Sequence, residues 1–304
     1  MSVVGIDLGG TKIAAGMFAG GTLRSRVTVP TPEAGGQAVI EAMAAAVKAA
    51  MNEAGSEGGA IAKGIGLGTP GPLDYAKGLI KFAPNIAGFN NFPIRQLLEE
   101  ASGMKVYLEN DANAAALAEH VLGAAKEVDS SLFVTVSTGV GGGFVLSNRV
   151  LRGAHGQGAE VGHITVLPGG PLCGCGLDGC LEAVATGPAM ERMALAVYKT
   201  ETNTRELFAR FQGGEPKAQR IVLQAAGYVG IGLASLVKSF DPEMIVLGGG
   251  VALNAGQAYL DEVLRVYHRY MEGWIAPPVQ LAKLGSEAGL LGAALTAAVE
   301  VGEV

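Results

Sequence analysis

The sequence predicts an α/β fold of two duplicated lobes, and three observations carry that expectation. Strand and helix patterns alternate along the chain. A strand, a glycine-rich turn and a second strand open it at residues 3–18 and recur at 133–146, near half its length. Its 304 residues are enough for two domains of ordinary size. A recurrence at that separation implies two related lobes facing each other across a cleft, not a short-period solenoid. The expected boundaries are 1–120 with 287–304 for a small first lobe completed by the C-terminal helix, and 121–286 for a larger second lobe.

Taken in order, residues 3–7 read as a strand, Gly9-Gly10 as a turn and 13–18 as a second strand ending at Gly20-Gly21. Ile40, Met43, Val47 and Met51 recur at helical spacing before Gly55. Residues 65–68 read as a strand, 93–101 as a helix, 105–109 as extended and 111–121 as a helix, which completes the first lobe. Beyond the second glycine-rich turn come helices at 190–198 and 219–240 and a strand entering Gly248-Gly249-Gly250. A last helix is expected from Ser286 as N-cap to about residue 299, with Glu287 in its first turn.

The charge-free stretch 221–237 touches the lower length limit of a membrane span. Gln224, Tyr228, Ser235 and three glycines interrupt it, so it reads as a helix buried in a soluble protein. A net charge of -6 opposes a phosphate backbone, which argues against nucleic acid as a partner. The first residues enter a strand directly, without the pattern of a signal peptide, and a cytoplasmic location is expected.

Two loops have the chemistry of phosphate sites. In Asp7-Leu-Gly-Gly-Thr-Lys12, Gly9 and Gly10 let backbone N–H groups approach an anion, while Thr11 and Lys12 add a hydroxyl and a charge. The pattern is neither a P-loop nor a dinucleotide fingerprint, and an ordinary turn also fits it. Ser137-Thr138-Gly139-Val-Gly-Gly-Gly143 offers similar donors in the second lobe. Gly249 and Gly250 end a hydrophobic strand, where they fit either the flat face of a nucleoside or a strand-to-helix turn.

Asp111 lies where a strand gives way to a helix, the position at which open α/β sheets present ligands. Phosphoryl transfer to a hydroxyl calls for a carboxylate that accepts the hydroxyl proton, and Asp111 suits that role; it also suits the helix N-cap. Asn110 beside it is a candidate for holding a sugar.

His163, Cys173, Cys175 and Cys180 bring one imidazole and three thiols within eighteen residues, a set that fits tetrahedral Zn2+ with no position left open for catalysis. The metal is expected to be structural. Glu160 and Glu182 flank the cluster, so ordering it would also fix two carboxylates able to bind vicinal sugar hydroxyls. As a pair they resemble a retaining glycosidase's carboxylates, but the phosphate loops would then have no purpose.

These loops, in this order, resemble the superfamily of sugar kinases, heat-shock ATPases and actin. Asp7-Leu-Gly-Gly-Thr-Lys12, Gly68-Thr-Pro-Gly71, Pro84-Asn85, Glu109-Asn-Asp111, Glu160-Val-Gly-His163 and the run from Cys173 to Glu182 are similar, over nearly the whole chain, to the ROK family and within it to glucokinases. The resemblance implies an actin-like ATPase fold, a hexose substrate and ATP with Mg2+. By the same resemblance Asp111 is the base for the 6-hydroxyl, Gly71, Asn85, Asn110, Glu160, His163 and Glu182 surround the hexose, and the assembly is a dimer or tetramer. Kinases for mannose, fructose, allose or N-acetylmannosamine, a polyphosphate donor and a non-catalytic sugar sensor are the alternatives. Ala159 stands where the family often has Gly. The repressor branch carries an added DNA-binding domain, for which this chain has no room before its first phosphate loop.

Overall fold

The computed structural model describes residues 2–55 and 62–303. The chain forms two compact units: Met1–Lys126 with Val145–Gly158 and Ser286–Val304, and Glu127–Phe144 with Ala159–Gly285.

In the first unit β1 (Ser2–Leu8) and β2 (Lys12–Ala19) form an antiparallel hairpin with Leu8 opposite Ile13. Short strands β3 (Thr22–Leu23) and β4 (Val27–Pro30) pair with β2. Helix α1 (Gly36–Gly55) buries Val39, Ile40, Met43, Ala46, Val47 and Ala50, the stripe that its three- and four-residue spacing dictates. Next come β5 (Ala62–Thr69), three short strands β6 (Leu73–Asp74), β7 (Leu79–Phe82) and β8 (Asn90–Phe92) in a sheet of their own, α2 (Ile94–Ser102), β9 (Val106–Asn110) and α3 (Asp111–Val121). The main sheet runs β3-β2-β1-β5-β9, with β1, β5 and β9 parallel. Its interior strands are apolar almost throughout, because helices must cover both faces of a parallel sheet.

The second unit repeats this path. Strand β10 (Ser130–Val136) leads to β11 (Val140–Leu146), whose last residues, Val145 and Leu146, pair with β12 (Arg149–Val150) inside the excursion Val145–Gly158 of the first unit. Helices α4 (Leu181–Ala185), α5 (Gly187–Tyr198), α6 (Thr204–Gln212) and α7 (Pro216–Phe240) follow, then β13 (Met244–Gly248), α8 (Gly250–Asn254), α9 (Gln257–Tyr270) and β14 (Val279–Leu281). The order β11-β10-β13-β14 reproduces β2-β1-β5-β9, so the duplication expected from the two glycine loops is present in the topology. Helix α7 is long and apolar enough to cross a membrane, yet it lies among α4, α5, α6 and α9 with Ile221, Val222, Val229, Leu233 and Val237 buried. That is the core helix the interrupted apolar stretch predicts.

Helix α10 (Ala288–Glu300) returns to the first unit and packs against α3, β1 and β5. It comes so near the sheet that a Cβ on Gly66 would collide with the carbonyl of Ala293. Ser286 does not cap this helix: a 3-10 turn at Gly285–Glu287 precedes it and puts Glu287 at the cap position. The turn spans only three residues, too few for a period of about 3.0 to be told from one of about 3.6, so the pattern places the helix start at Ser286.

Candidate functional site

Three parallel strands of the first unit end in register. Asp7 stands opposite Gly68, Gly68 opposite Glu109, and Thr69 opposite Asn110. Asp7, the turn holding Gly71, and Asn110-Asp111 therefore share the carboxyl edge of one sheet, the edge at which such sheets bind ligands. Helix α3 is capped by Asn110, whose Oδ1 accepts the N–H groups of Ala112 at 3.0 Å and Asn113 at 3.2 Å. Asp111 is therefore not the cap. It occupies the first helical position with its side chain exposed, and its Oδ1 accepts the Ala112 N–H at 2.8 Å.

The first glycine loop is closed by the Gly9 N–H donating to Lys12 O at 3.0 Å. It is pinned from β4's end by Thr31, whose hydroxyl donates to Gly9 O at 2.7 Å and whose N–H donates to Thr11 O at 3.1 Å. No spacing in the sequence marks Thr31. Gly10, Thr11 and Lys12 are left exposed. A Cβ on Gly10 would stand 3.0 Å from Asn85 Cβ, and one on Gly71 would stand 3.1 Å from Asn110 Nδ2. Both glycines thus bring a loop backbone against an expected sugar-side amide. Burial raises the pKa of Asp7, with Lys12 and Arg26 opposing that shift, and the carboxylate lies against Gly289 at the start of α10.

In the second unit β10 and β13 end side by side, with Thr135 opposite Gly248. Gly249 takes φ 91°, and a Cβ there would stand 2.6 Å from Thr135 Oγ1; a Cβ on Gly250 would stand 3.4 Å from Ser137 Oγ. Gly249 and Gly250 therefore lie against Thr135 to Ser137, the residues that lead into Thr138 and Gly139, and the triple glycine is also the strand-to-helix turn into α8. Beside Gly250 and Asn254 a cavity of 480 Å³ is walled by Thr204, Arg205, Phe208 and Gln212 of α6. Its size suits a small organic ligand. Nothing in the sequence singles out Arg205 or Phe208.

Glu160 precedes the 3-10 turn Val161–His163, and the His163 N–H donates to its carbonyl at 3.1 Å. The ligand atoms of His163, Cys173, Cys175 and Cys180 all lie within 4.8 Å of one another. Cys173 Sγ is 3.6 Å from His163 Nδ1, and Cys175 Sγ is 3.6 Å from Cys180 Sγ. Tetrahedral zinc with its ordinary bond lengths needs edges of about 3.6–3.8 Å between such atoms, so the four residues fit the ion. Glu182 Oε1 lies 3.8 Å from Cys173 Sγ, and its Oε2 accepts the Val140 N–H at 3.1 Å. The expected site residues thus form two sets, Asp7 to Lys12 with Gly71, Asn85 and Asn110-Asp111 in the first unit, and Thr138, Gly139, Glu182, the Cys and His cluster, Gly249 and Gly250 in the second. Within the second, Glu182 joins the cluster to the glycine loop.

Duplicated sheets of this topology with a glycine hairpin at each first strand define the class of sugar kinases and actin-like ATPases. Within it the chain belongs to the ROK family, whose model matches residues 3–300. It is 35% identical to a glucokinase of Streptomyces coelicolor, over 96% of both chains. Among solved structures, a ROK hexokinase from Thermus thermophilus superposes with a TM-score of 0.95 at 62% identity over the whole of both chains. A ROK family glucokinase from Streptomyces griseus in complex with glucose and AMPPNP gives 0.77 at 34% identity, covering 97% of this chain and 98% of that one.

Proposed function

We propose that the chain is an ATP-dependent hexokinase with glucose as principal substrate and glucose 6-phosphate as product. The observation that carries this reading is the register of Asp7 with Asn110-Asp111, which sets a phosphate loop and a candidate base at one sheet edge. Asp111 accepts the proton of the sugar 6-hydroxyl as that oxygen bonds to the γ-phosphorus; the bond from phosphorus to the β,γ-bridging oxygen breaks, and ADP leaves with the electron pair. Asn110, Gly71 and Asn85, with Glu160, His163 and Glu182, bind the hexose. Backbone donors at Gly9, Gly10, Thr138 and Gly139, with Thr11 and Lys12, receive the polyphosphate, and Gly249, Gly250 and the neighbouring cavity take the nucleoside. Asp7 is the carboxylate that would stand near Mg2+, which would supply charge neutralisation to the polyphosphate. Zn2+ on His163, Cys173, Cys175 and Cys180 is structural, since all four positions are taken by protein. The similarity to the Streptomyces griseus complex supports both glucose and an ATP-type donor. The family resemblance supports a cytoplasmic homodimer or homotetramer.

The test is ADP release from Mg-ATP across a panel of hexoses and N-acetylhexosamines. A marked preference for glucose is expected. Preference for mannose or N-acetylmannosamine would move the substrate within the family, since one hydroxyl or amide changes only pocket shape. Sugar binding without turnover on any of them would make the chain a sensor.

A further inference from the structure

Among the described residues strand β9 is an edge strand, bonded through its backbone to β5 on one side, and its last residue, Asn110, leads into Asp111. On such an edge the ladder alone leaves the end of the strand weakly held. The missing constraint comes from Glu109, whose residue exposure is 0%. Its Oε1 accepts the Tyr75 hydroxyl at 2.6 Å, the Asn110 N–H at 3.0 Å and Asn113 Nδ2 at 3.1 Å. Its Oε2 accepts Arg152 Nε at 2.8 Å. The guanidinium lies 5.0 Å above the Tyr75 ring and reaches Glu300 at 3.4 Å. All of these residues belong to the first unit.

We infer that Arg152, acting through Glu109, is a positioning residue that fixes the Asn110-Asp111 dipeptide for phosphoryl transfer; this rests on Asp111 being the base. A buried carboxylate is costly unless it is paired, and without Arg152 the side chain of Glu109 turns toward solvent or another donor. The Oε1 acceptor shared by the Asn110 N–H and the Asn113 amide is then displaced from both donors. Those two donors bracket Asp111 on both sides along the chain, so one carboxylate fixes the backbone that aims the base. A buried ion pair is by itself weak evidence of a contribution to stability, because hydrophobic replacements often do as well. What sets this one apart is that its acceptor bonds to the peptide N–H of the candidate sugar ligand itself. Tyr75 serves the same end: burial and the Glu109 charge raise its pKa far above the ordinary phenol value, so its hydroxyl remains a donor at every working pH. The cost of misplacing a catalytic group by about 1 Å reaches roughly 100-fold, so the effect should be read in kcat.

The experiment compares Arg152→Gln, Glu109→Gln and Tyr75→Phe, each alone and combined with Asp111→Asn, using the full chain with Mg-ATP and glucose. Turnover by the wild type tests the kinase reading first and separately. Given turnover, Arg152→Gln and Glu109→Gln are each expected to lower kcat about tenfold or more while the glucose KM moves less than about threefold. The Arg152→Gln/Glu109→Gln double variant should be no slower than the worse single, because both break one link. In the Asp111→Asn background Arg152→Gln should have no further effect. A folded Arg152→Gln with kcat within twofold of wild type, or one that slows Asp111→Asn by the same factor as wild type, overturns the inference. If Arg152→Gln fails to fold, Tyr75→Phe carries the same comparison, with a smaller kcat loss expected in the wild type and none in Asp111→Asn.

Discussion

Glu182 and Val140 are joined by a 3.1 Å hydrogen bond from backbone N–H to carboxylate, while the other carboxylate oxygen lies 3.8 Å from Cys173 Sγ. The Cys and His cluster and the second glycine loop therefore share one side chain. Gly139 makes this possible, since a Cβ there would stand 2.9 Å from Glu182 Oε2.

Removing the metal should therefore disturb more than the sugar. Cys175→Ser, or exhaustive chelation, is expected to release one zinc per chain and to weaken glucose binding roughly 10- to 100-fold, as loss of a group that orients a ligand commonly does. Nucleotide binding measured without sugar should weaken as well, because the Val140 loop loses its anchor. Metal analysis with calorimetry on the same sample checks this, and a demonstrably zinc-free protein with unaltered affinity for both ligands would refute it.

Asp111→Asn keeps the size and most of the polarity of the side chain and removes its basicity. A general base contributes roughly 100- to 10,000-fold, so kcat should fall within that range while the glucose dissociation constant stays within about threefold. Helix α3 should be intact, because its cap is Asn110. Steady-state rates and equilibrium binding on the same variant separate the two effects. Asn110→Ala should do the converse, weakening sugar binding and also lowering Tm, since removing an N-cap side chain costs about 1 kcal/mol.

Parts of this arrangement are legible in the chain because they are local. The span 111–121 reads as a helix from its alanines, and the cysteine run reads as a metal site because four ligands, three thiols and one imidazole, sit within eighteen residues. Residue 110 rather than 111 caps α3 because extended backbone is needed at the cap, and the strand persists one residue beyond the pattern's apparent end. Arg152 is illegible for a different reason. It lies 43 residues from Glu109, on an excursion that leaves the second unit's sheet for the first, and no periodicity encodes such a contact. The three short strands between residues 73 and 92 are likewise too brief to carry alternation.

Asp7 links stability to function through pH. Desolvation raises its pKa more than Lys12 and Arg26 lower it, so the folded state holds the proton more tightly than the unfolded chain does. A carboxyl with a raised folded pKa contributes stability that is fully present below the unfolded value and lost as pH rises through the folded one. At neutral pH the charged Asp7 is therefore a liability retained for function. Asp7→Asn should raise Tm by about 1–3 °C at pH 7 and greatly reduce turnover, as replacement of a strained active-site group typically does. The Tm gain should shrink as pH falls through the raised folded pKa and be gone below the unfolded value of about 4, where the wild-type carboxyl is neutral in both states. Thermal unfolding of both proteins across that range checks the sign; a gain that grows in acid would contradict the assignment of burial as the dominant influence.

Ala159, the residue before Glu160, adopts φ 59°, a left-handed conformation in which a Cβ is unwelcome. Where the family resemblance leads one to expect glycine, this chain places a methyl group in a backbone shape made for glycine. The residue is 9% exposed and belongs to the same core cluster of the second unit as Val161 and Val140, which offsets part of the strain. Glycine would relieve the backbone while giving up that contact and adding freedom to the unfolded chain, so Ala159→Gly should change Tm by no more than about 2 °C in either direction. A β-branched side chain has no such balance. Ala159→Val should lower stability by about 1–3 kcal/mol, because branching at Cβ clashes with the left-handed backbone. If the turn yields instead and takes Glu160 with it, glucose affinity will fall in Ala159→Val and remain unchanged in Ala159→Gly. Equal unfolding midpoints for valine and glycine at this position would show that φ 59° is not enforced, and that Glu160 is held by something other than its preceding turn.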